Sequence, residues 1–337
     1  MAVKIGNRTI QLEKRPEILG YGSVVGKKEH NGPLGDEFDS FSEDCRFGEK
    51  TFEKAESRLQ TLAADKAIER AGVRANDIDL IFAGDLLNQC IGSAFGLRAL
   101  GVPFLGLYGA CSTMALGAAL ASVAVESGTA SYAAAVTSSH FCSAERQYRF
   151  PLEYGSQRTP TAQWTVTGAG ALVFGQGSGT GIYTDKVTFG EMVDLGVTDA
   201  NNMGAAMAPS AASTITHFFR DTRTSPEDYD VIYTGDLGAV GTELLYELCD
   251  REGYNLRCHH ADCGMMIFDY DRQDVAAGGS GCGCSASVLA SFVMHRFEQG
   301  DFHNILFIST GALMSPTSSL QGESIPGIAH LLNLKRD

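Results

Sequence analysis

The chain repeats itself, and the repeat constrains its fold more than any other feature. Asp77–Leu86 reads Asp-Ile-Asp-Leu-Ile-Phe-Ala-Gly-Asp-Leu, and Asp228–Leu237 reads Asp-Tyr-Asp-Val-Ile-Tyr-Thr-Gly-Asp-Leu. The offset from Asp77 to Asp228 is 151 residues. Each segment reads as a buried strand ending at Gly-Asp, and each follows an amphipathic candidate helix, Thr51–Ala71 and Ala211–Arg220. A second pair follows in the same order. Cys111-Ser112 opens an uncharged helix to Val125, then Gly128 and the strand Tyr132–Thr137. Cys284-Ser285 opens a helix to about Phe297, then Gly300 and the strand Asn304–Thr310. From Cys111 to Cys284 the offset has grown to 173 residues, so 22 residues are inserted in the second half, in the interval that holds Cys258–Asp271. Two similar pairs in one order argue for duplication of one structural unit. The chain divides into halves at 1–178 and 179–337, with the glycine-rich run Gly175–Gly181 read as the turn between them.

The helix that starts at Ser112 has no charged residue before Glu126, whereas a surface helix carries one polar face. It must be covered on every side, and Ala115, Gly117, Ala118, Ala119 and Ala121 let neighbouring layers approach closely. Apolar strands alternating with helices imply mainly parallel sheets covered on both faces. Two sheets enclosing a layer of two buried helices satisfy these demands. The expected fold class is therefore α/β, five layers in the order α/β/α/β/α, with duplicated halves related by a pseudo-twofold axis. The uncharged stretch Ala99–Val125 is not read as a membrane span, because Pro103 and Gly109 interrupt it.

Composition narrows the function. With 26 Lys and Arg against 40 Asp and Glu, the net charge is −14. That excludes a general nucleic-acid surface and provides no long-range pull on an anion. The nine cysteines are odd in number and lack paired zinc spacing, which favours reduced thiols in an intracellular compartment. The N-terminal Met-Ala-Val-Lys-Ile-Gly-Asn-Arg has no signal-peptide core.

A strand running into Gly109-Ala-Cys-Ser-Thr-Met114, in a duplicated α/β chain, resembles the thiolase and ketoacyl-synthase superfamily. More narrowly, Ala83-Gly-Asp-Leu-Leu-Asn88, Phe104–Met114, Thr137-Ser-Ser-His140, Ala144-Glu-Arg-Gln147, Ala208-Pro209, Gly278–Ala286 and Thr310–Thr317 resemble the stage V sporulation protein AD family. The first resemblance implies a thiolase-like fold and usually a homodimer formed through the first-half sheet. The second implies a non-catalytic protein that binds dipicolinic acid (pyridine-2,6-dicarboxylate), alone or as its calcium chelate, for uptake into the developing spore. It would work beside the SpoVA membrane proteins, peripherally at the spore inner membrane.

Cys111 stands at a helix N-terminus, where unpaired N–H groups favour a thiolate. Acyl transfer also needs a base and an oxyanion site. The superfamily takes one partner from a histidine in the loop after the second-half Gly-Asp strand. Here that loop, Tyr233–Gly241, has Asp236 and no histidine. The other partner falls in Gly278–Cys284, where Cys282 is the nearest match. A carboxylate near Cys111 would raise the thiol pKa. Asp236 either faces the pocket or closes it.

The expected ligand site lies beside Cys111, with Ser138, Ser139 and His140 as hydrogen-bond donors, Arg146 as carboxylate partner, and Asp236 and Cys282 nearby. His140 reads equally well as a satisfied core or interface histidine. Arg146, Arg149 and Arg158 could clamp carboxylates, or pair with Glu145 and Glu153 in a solvated loop. Cys258, His259, His260, Asp262 and Cys263 could not all converge on a metal if Ala261–Phe268 is a strand. Neither a metal nor another cofactor is expected. Two alternatives stay open: a coenzyme A-dependent acyltransferase or ketoacyl synthase using Cys111, and a purely structural subunit.

Overall fold

A computed structural model describes residues 2–148, 158–177 and 179–337. Ten strands carry the fold. The first five are β1 (Glu17–Gly26), β2 (Leu80–Gly84), β3 (Phe104–Gly106), β4 (Tyr132–Ser139) and β5 (Gly168–Gly175). The second five are β6 (Ile182–Thr188), β7 (Val231–Thr234), β8 (His260–Asp262), β9 (Asn304–Ala312) and β10 (Gly327–Arg336). The first set lies in the order β1-β5-β4-β2-β3 and the second in the order β6-β10-β9-β7-β8. The duplicated sequence thus builds the same sheet twice. The two sheets touch edge to edge where Tyr183 of β6 pairs with Glu17 of β1.

Each sheet is mixed, which corrects the expectation of mainly parallel pairing. β1–β5 and β5–β4 are antiparallel, while β4–β2 and β2–β3 are parallel. The second sheet repeats this pattern. A strand covered on both faces is apolar throughout whichever way it runs, so β5 (Gly-Ala-Gly-Ala-Leu-Val-Phe-Gly, buried along its whole length) carries no directional signal.

Helix α1 (Phe52–Ala71) covers the outer face of the first sheet. It starts where Thr51 Oγ1 accepts from Lys54 N at 3.3 Å and stops at Gly72, whose φ of 67° suits glycine. Helix α2 (Thr113–Ser127) touches β4 and β2 on one side and β9 and β10 on the other. Beside it lies α5 (Cys282–Val288), which continues through a π turn at Leu289–Val293 into Met294–Gln299. Helices α3 (Met203–Thr222) and α4 (Gly238–Arg251) pack against each other, and α3 covers the outer face of the second sheet. The five layers follow. The apolar run Ala110–Ser127 is long enough to cross a membrane by composition, yet 78% of it is buried in the central layer.

Three local readings change. Helix α3 begins at Met203 rather than after Pro209, because Asn202 caps it by accepting from Ala205 N at 3.2 Å and Pro209 is carried inside. The strand expected at Ala261–Phe268 is only His260–Asp262, followed by a helical turn at Cys263–Met266. Part of the second-half insertion is helical: α4 has 14 residues where the first half has the 7 of Ile91–Leu97.

The central layer is held by backbone contact. A Cβ on Gly170 of β5 would lie 2.1 Å from Ala286 O of α5, and one on Gly283 would lie 2.3 Å from Gly168 O. Gly170→Ala is therefore expected to destabilise the protein by roughly 1–3 kcal/mol. Urea unfolding should show a lower midpoint with an unchanged slope.

Candidate functional site

Cys111 lies in the turn between β3 and α2. Its predecessor Ala110 has φ 48°, the left-handed region that non-glycine residues avoid. The turn is fixed by side chains: Ser112 Oγ donates to Gly109 O at 2.6 Å and Thr113 Oγ1 to Ala110 O at 2.7 Å. From the second half, β9 presses close, and a Cβ on Gly311 would meet Gly109 O at 2.4 Å. Cys111 is consequently 5% exposed. Burial first, and the charge of Asp236 second, push its thiol well above the ordinary range. The rise agrees in direction with the expectation that a carboxylate beside Cys111 opposes the thiolate that a helix N-terminus favours.

Asp236 follows β7 at the second-half Gly-Asp and is fully buried. Its Oδ1 accepts from Thr310 Oγ1 at 2.8 Å, and its Oδ2 from Gly281 N at 2.9 Å and Ser280 Oγ at 3.1 Å. The Cys111 thiol lies close enough to the same carboxylate for its charge to act on it. Burial, with a smaller contribution from Asp262, pushes Asp236 up to about 7 against the pull of these donors. Gln163 Nε2 donates to Asp236 O at 2.7 Å and fixes the backbone there. Asp236 thus closes the floor behind Cys111.

A narrow cleft of about 50 Å³ opens over Cys111. Ser280, Gln163, Glu145, Tyr108 and Tyr148 line it with Cys111. Glu145 has Arg158 at 3.8 Å, and the guanidinium also lies 4.2 Å from the Trp164 ring centroid. None of the described lining residues is a histidine.

Of the seven residues expected at the ligand, only Cys111 lines this cleft. Asp236 and Cys282 lie just beneath it. Cys282 Sγ donates to Ser138 O at 3.0 Å and packs with Cys111, Leu86 and Ala144. The other four are elsewhere. Ser138 Oγ donates to Glu56 Oε1 of α1 at 3.2 Å, whereas Ser139 Oγ donates to Val166 O at 2.7 Å and accepts from Gly283 N of α5 at 3.0 Å. Neighbours on a strand face opposite sides, so the two serines cannot serve one ligand. His140 Nε2 donates to Cys45 O at 2.7 Å and Nδ1 accepts from Cys142 N at 3.1 Å. Burial lowers its pKa, and it lines a separate cleft of about 600 Å³ with Lys28 and Trp164. Arg146 pairs with Glu53 of α1. Arg149 and Glu153 lie outside the described residues.

The candidate metal residues have other duties. His260 Nε2 lies 2.8 Å from Thr234 Oγ1 and Nδ1 3.0 Å from Tyr246 Oη. Asp262 accepts from Leu237 N, Gly238 N and Met265 N. Among the described residues the nine cysteines are free thiols.

Sequence reasoning missed Tyr108, Glu145, Tyr148, Gln163 and Ser280. Ala144 and Tyr148 are one turn apart on the helix Phe141–Tyr148, a spacing that puts both on one face. Gln163 and Ser280 meet because the short strands Trp164–Thr165 and Gly279–Ser280 pair, which no local pattern announces.

Paired mixed sheets around two buried helices, with a cysteine at the start of the first, define a thiolase-like protein. Solved structures agree. The 3-oxoacyl-[acyl-carrier-protein] synthase III of Aquifex aeolicus VF5 superposes with a TM-score of 0.59 at 14% identity, over 95% of this chain and 99% of that one. FabH of Pseudomonas aeruginosa PAO1 gives 0.57 at 14%, over 96% and 98%. A variant of OleA from Xanthomonas campestris gives 0.58 at 14%, over 95% and 98%. At such identity the likeness is one of fold. Closer kinship is specific: residues 6–335 match the model of Stage V sporulation protein AD (SpoVAD). Stage V sporulation protein AD of Bacillus subtilis (strain 168) is 43% identical over 325 residues, 96% of each chain. The chain belongs to the SpoVAD family and is a sporulation protein with a thiolase-like fold.

Proposed function

We propose that this protein binds dipicolinate, free or as its calcium chelate, in the Cys111 cleft without transforming it. It does so in the uptake of dipicolinate into the developing spore, as a peripheral subunit of the SpoVA assembly at the spore inner membrane. The observation that carries the non-catalytic reading is the hydrogen bonding of Asp236. Thr310 Oγ1, Ser280 Oγ and Gly281 N, the donors near Cys111 that an oxyanion would need, are spent on that carboxylate. The thiol beside it is neutral, so neither nucleophile nor oxyanion site is ready. What is left is a small, mostly apolar cleft with tyrosine walls and a few polar groups, beside which Arg158 offsets the charge of Glu145. Calorimetric titration with dipicolinate tests the reading, and absence of heat at millimolar ligand would refute it.

Acyl transfer from coenzyme A is the second reading, and the strained Ala110 before Cys111 favours it, since such backbone often marks reactive turns. A stable acetyl adduct on Cys111 after incubation with acetyl-CoA, seen by mass spectrometry, would establish it.

Homodimerisation is part of the same proposal. β3 is an edge strand whose Phe104 and Leu105 are 40% and 39% exposed, with Phe95 nearby in sequence at 60%. Exposed apolar edges invite strand pairing. Leu105→Lys is expected to shift sedimentation equilibrium from dimer to monomer at micromolar concentration. A wild-type monomer at that concentration would contradict the proposal.

A further inference from the structure

The Cys111 cleft ends at two tyrosine hydroxyls. Tyr148 Oη donates to Leu86 O at 2.7 Å, so Tyr108 Oη donates to Tyr148 Oη at 2.8 Å. Beyond them lies a second hollow, a surface groove of about 560 Å³. Tyr108, Tyr148 and Met314 line both spaces and therefore form the partition between them. The inner void of about 50 Å³ has room for roughly three to five waters. Sites for small organic molecules usually measure about 300–1,000 Å³. At about 50 Å³ the void has no room for a planar ligand over Cys111 with the partition in place, and movement of the partition would join it to the outer groove.

The partition is built as a latch. Leu86 O accepts a second hydrogen bond, from Gln147 Nε2 at 2.9 Å, and Asn88 N donates to Gln147 Oε1 at 2.9 Å. Three hydrogen bonds thus tie the end of the helix Phe141–Tyr148 to the segment that follows β2, and the Tyr108–Tyr148 bond ties it to the segment that follows β3. The segment after β2 is strained: Gln89 and Cys90 are consecutive non-glycine residues with φ of 61° and 51°. Strained backbone persists only where its surroundings hold it, and here the latch is part of that hold. Tyr108 is 46% exposed, so part of the residue borders solvent on the groove side. Burial raises the pKa of both phenols, and the latch stays neutral over the physiological range. The groove outside is lined by Asn88, Gln89, Ser315 and Ser318, and among the described residues no charged one lines it. On a chain of net charge −14, that is a route an anion can follow without close repulsion.

We propose that Tyr108, Gln147 and Tyr148 form a gate over Cys111. A small anionic ligand docks first in the uncharged outer groove and passes inward when the helix end releases Leu86. The proposal rests on reading the cleft as a ligand site, but the gate can be tested without that ligand. The full-length protein and its Tyr148→Phe and Gln147→Ala variants would be treated with N-ethylmaleimide, and Cys111 modification followed by peptide mass spectrometry. Each variant is expected to raise the Cys111 rate at least tenfold, while the buried Cys249 stays unmodified. An unchanged Cys111 rate, or an equal rise at Cys249 from general loosening, would overturn the gate. Dipicolinate added to the Tyr148→Phe protein should slow the reaction. A faster variant with no such protection would leave the gate standing and count against the ligand reading.

Discussion

Cys111→Trp is expected to weaken dipicolinate binding at least 100-fold, about 2.7 kcal/mol. The void above the thiol is about 50 Å³, and an indole placed there occupies all of it. Because Cys111 is 5% exposed, part of the new ring would press on its neighbours and cost stability as well. A second variant separates the two effects. Ala200 lines the same cleft from a half-buried position, so Ala200→Trp blocks it with less strain on the core. Both variants should lose binding, and Ala200→Trp should unfold near the wild-type denaturant midpoint. His140→Ala and Arg146→Ala make the contrast. His140 faces another cleft and Arg146 is paired with Glu53, so each should bind within twofold of wild type. Isothermal titration on the four proteins checks the whole pattern.

Asp236→His is expected to raise the alkylation rate of Cys111 at pH 7 by ten- to a hundredfold. The substitution removes the buried anion that opposes thiolate formation and supplies a base. A lowering of the thiol pKa by two units would multiply the thiolate fraction about 100-fold, less a loss of intrinsic nucleophilicity. Stability should change with pH in the same logic. In the folded protein Asp236 is raised to about 7 by burial, above its unfolded value near 3.9. The folded state therefore holds the proton more tightly. Its stabilising effect is fully present below the unfolded pKa and is lost as pH rises towards 7, with an upper bound of roughly 4 kcal/mol. Glu29, also raised to about 7 by burial, adds to the slope. Urea unfolding between pH 5 and pH 8 should show the wild type losing stability, and Asp236→Asn losing less. A wild type that gains stability over that range would contradict the buried-acid account.

How much of this was legible in the sequence depends on the range of the interaction. The duplicated Gly-Asp strands and the uncharged helix after Cys111 are local patterns, and they gave the layers and the repeated sheet. Asp236 was legible because it replaces a residue type at a motif position, and the structure adds that it is fully buried, with its charge acting on the Cys111 thiol. Strand direction was not legible, since doubly covered strands such as β5 are apolar either way. Ser138, Ser139 and His140 do not share the Cys111 cleft, for a plain reason. Consecutive residues at a strand end do not form one surface, and the pleat sends Ser138 to α1 and Ser139 to α5. The cleft walls come from Gln163, Ser280 and Tyr148, which belong to segments far apart in the chain. Only the tertiary pairing of Trp164–Thr165 with Gly279–Ser280 brings two of them together.

The most direct measurement is a crystal structure of the protein soaked with dipicolinate. The account predicts intact, non-covalent ligand over Cys111, with Tyr148 Oη withdrawn from Leu86 O and the Asp236 hydrogen bonds preserved. Ligand in the Lys28–Trp164 cleft with the Cys111 void unchanged, or an acyl bond to Cys111 Sγ, would contradict it.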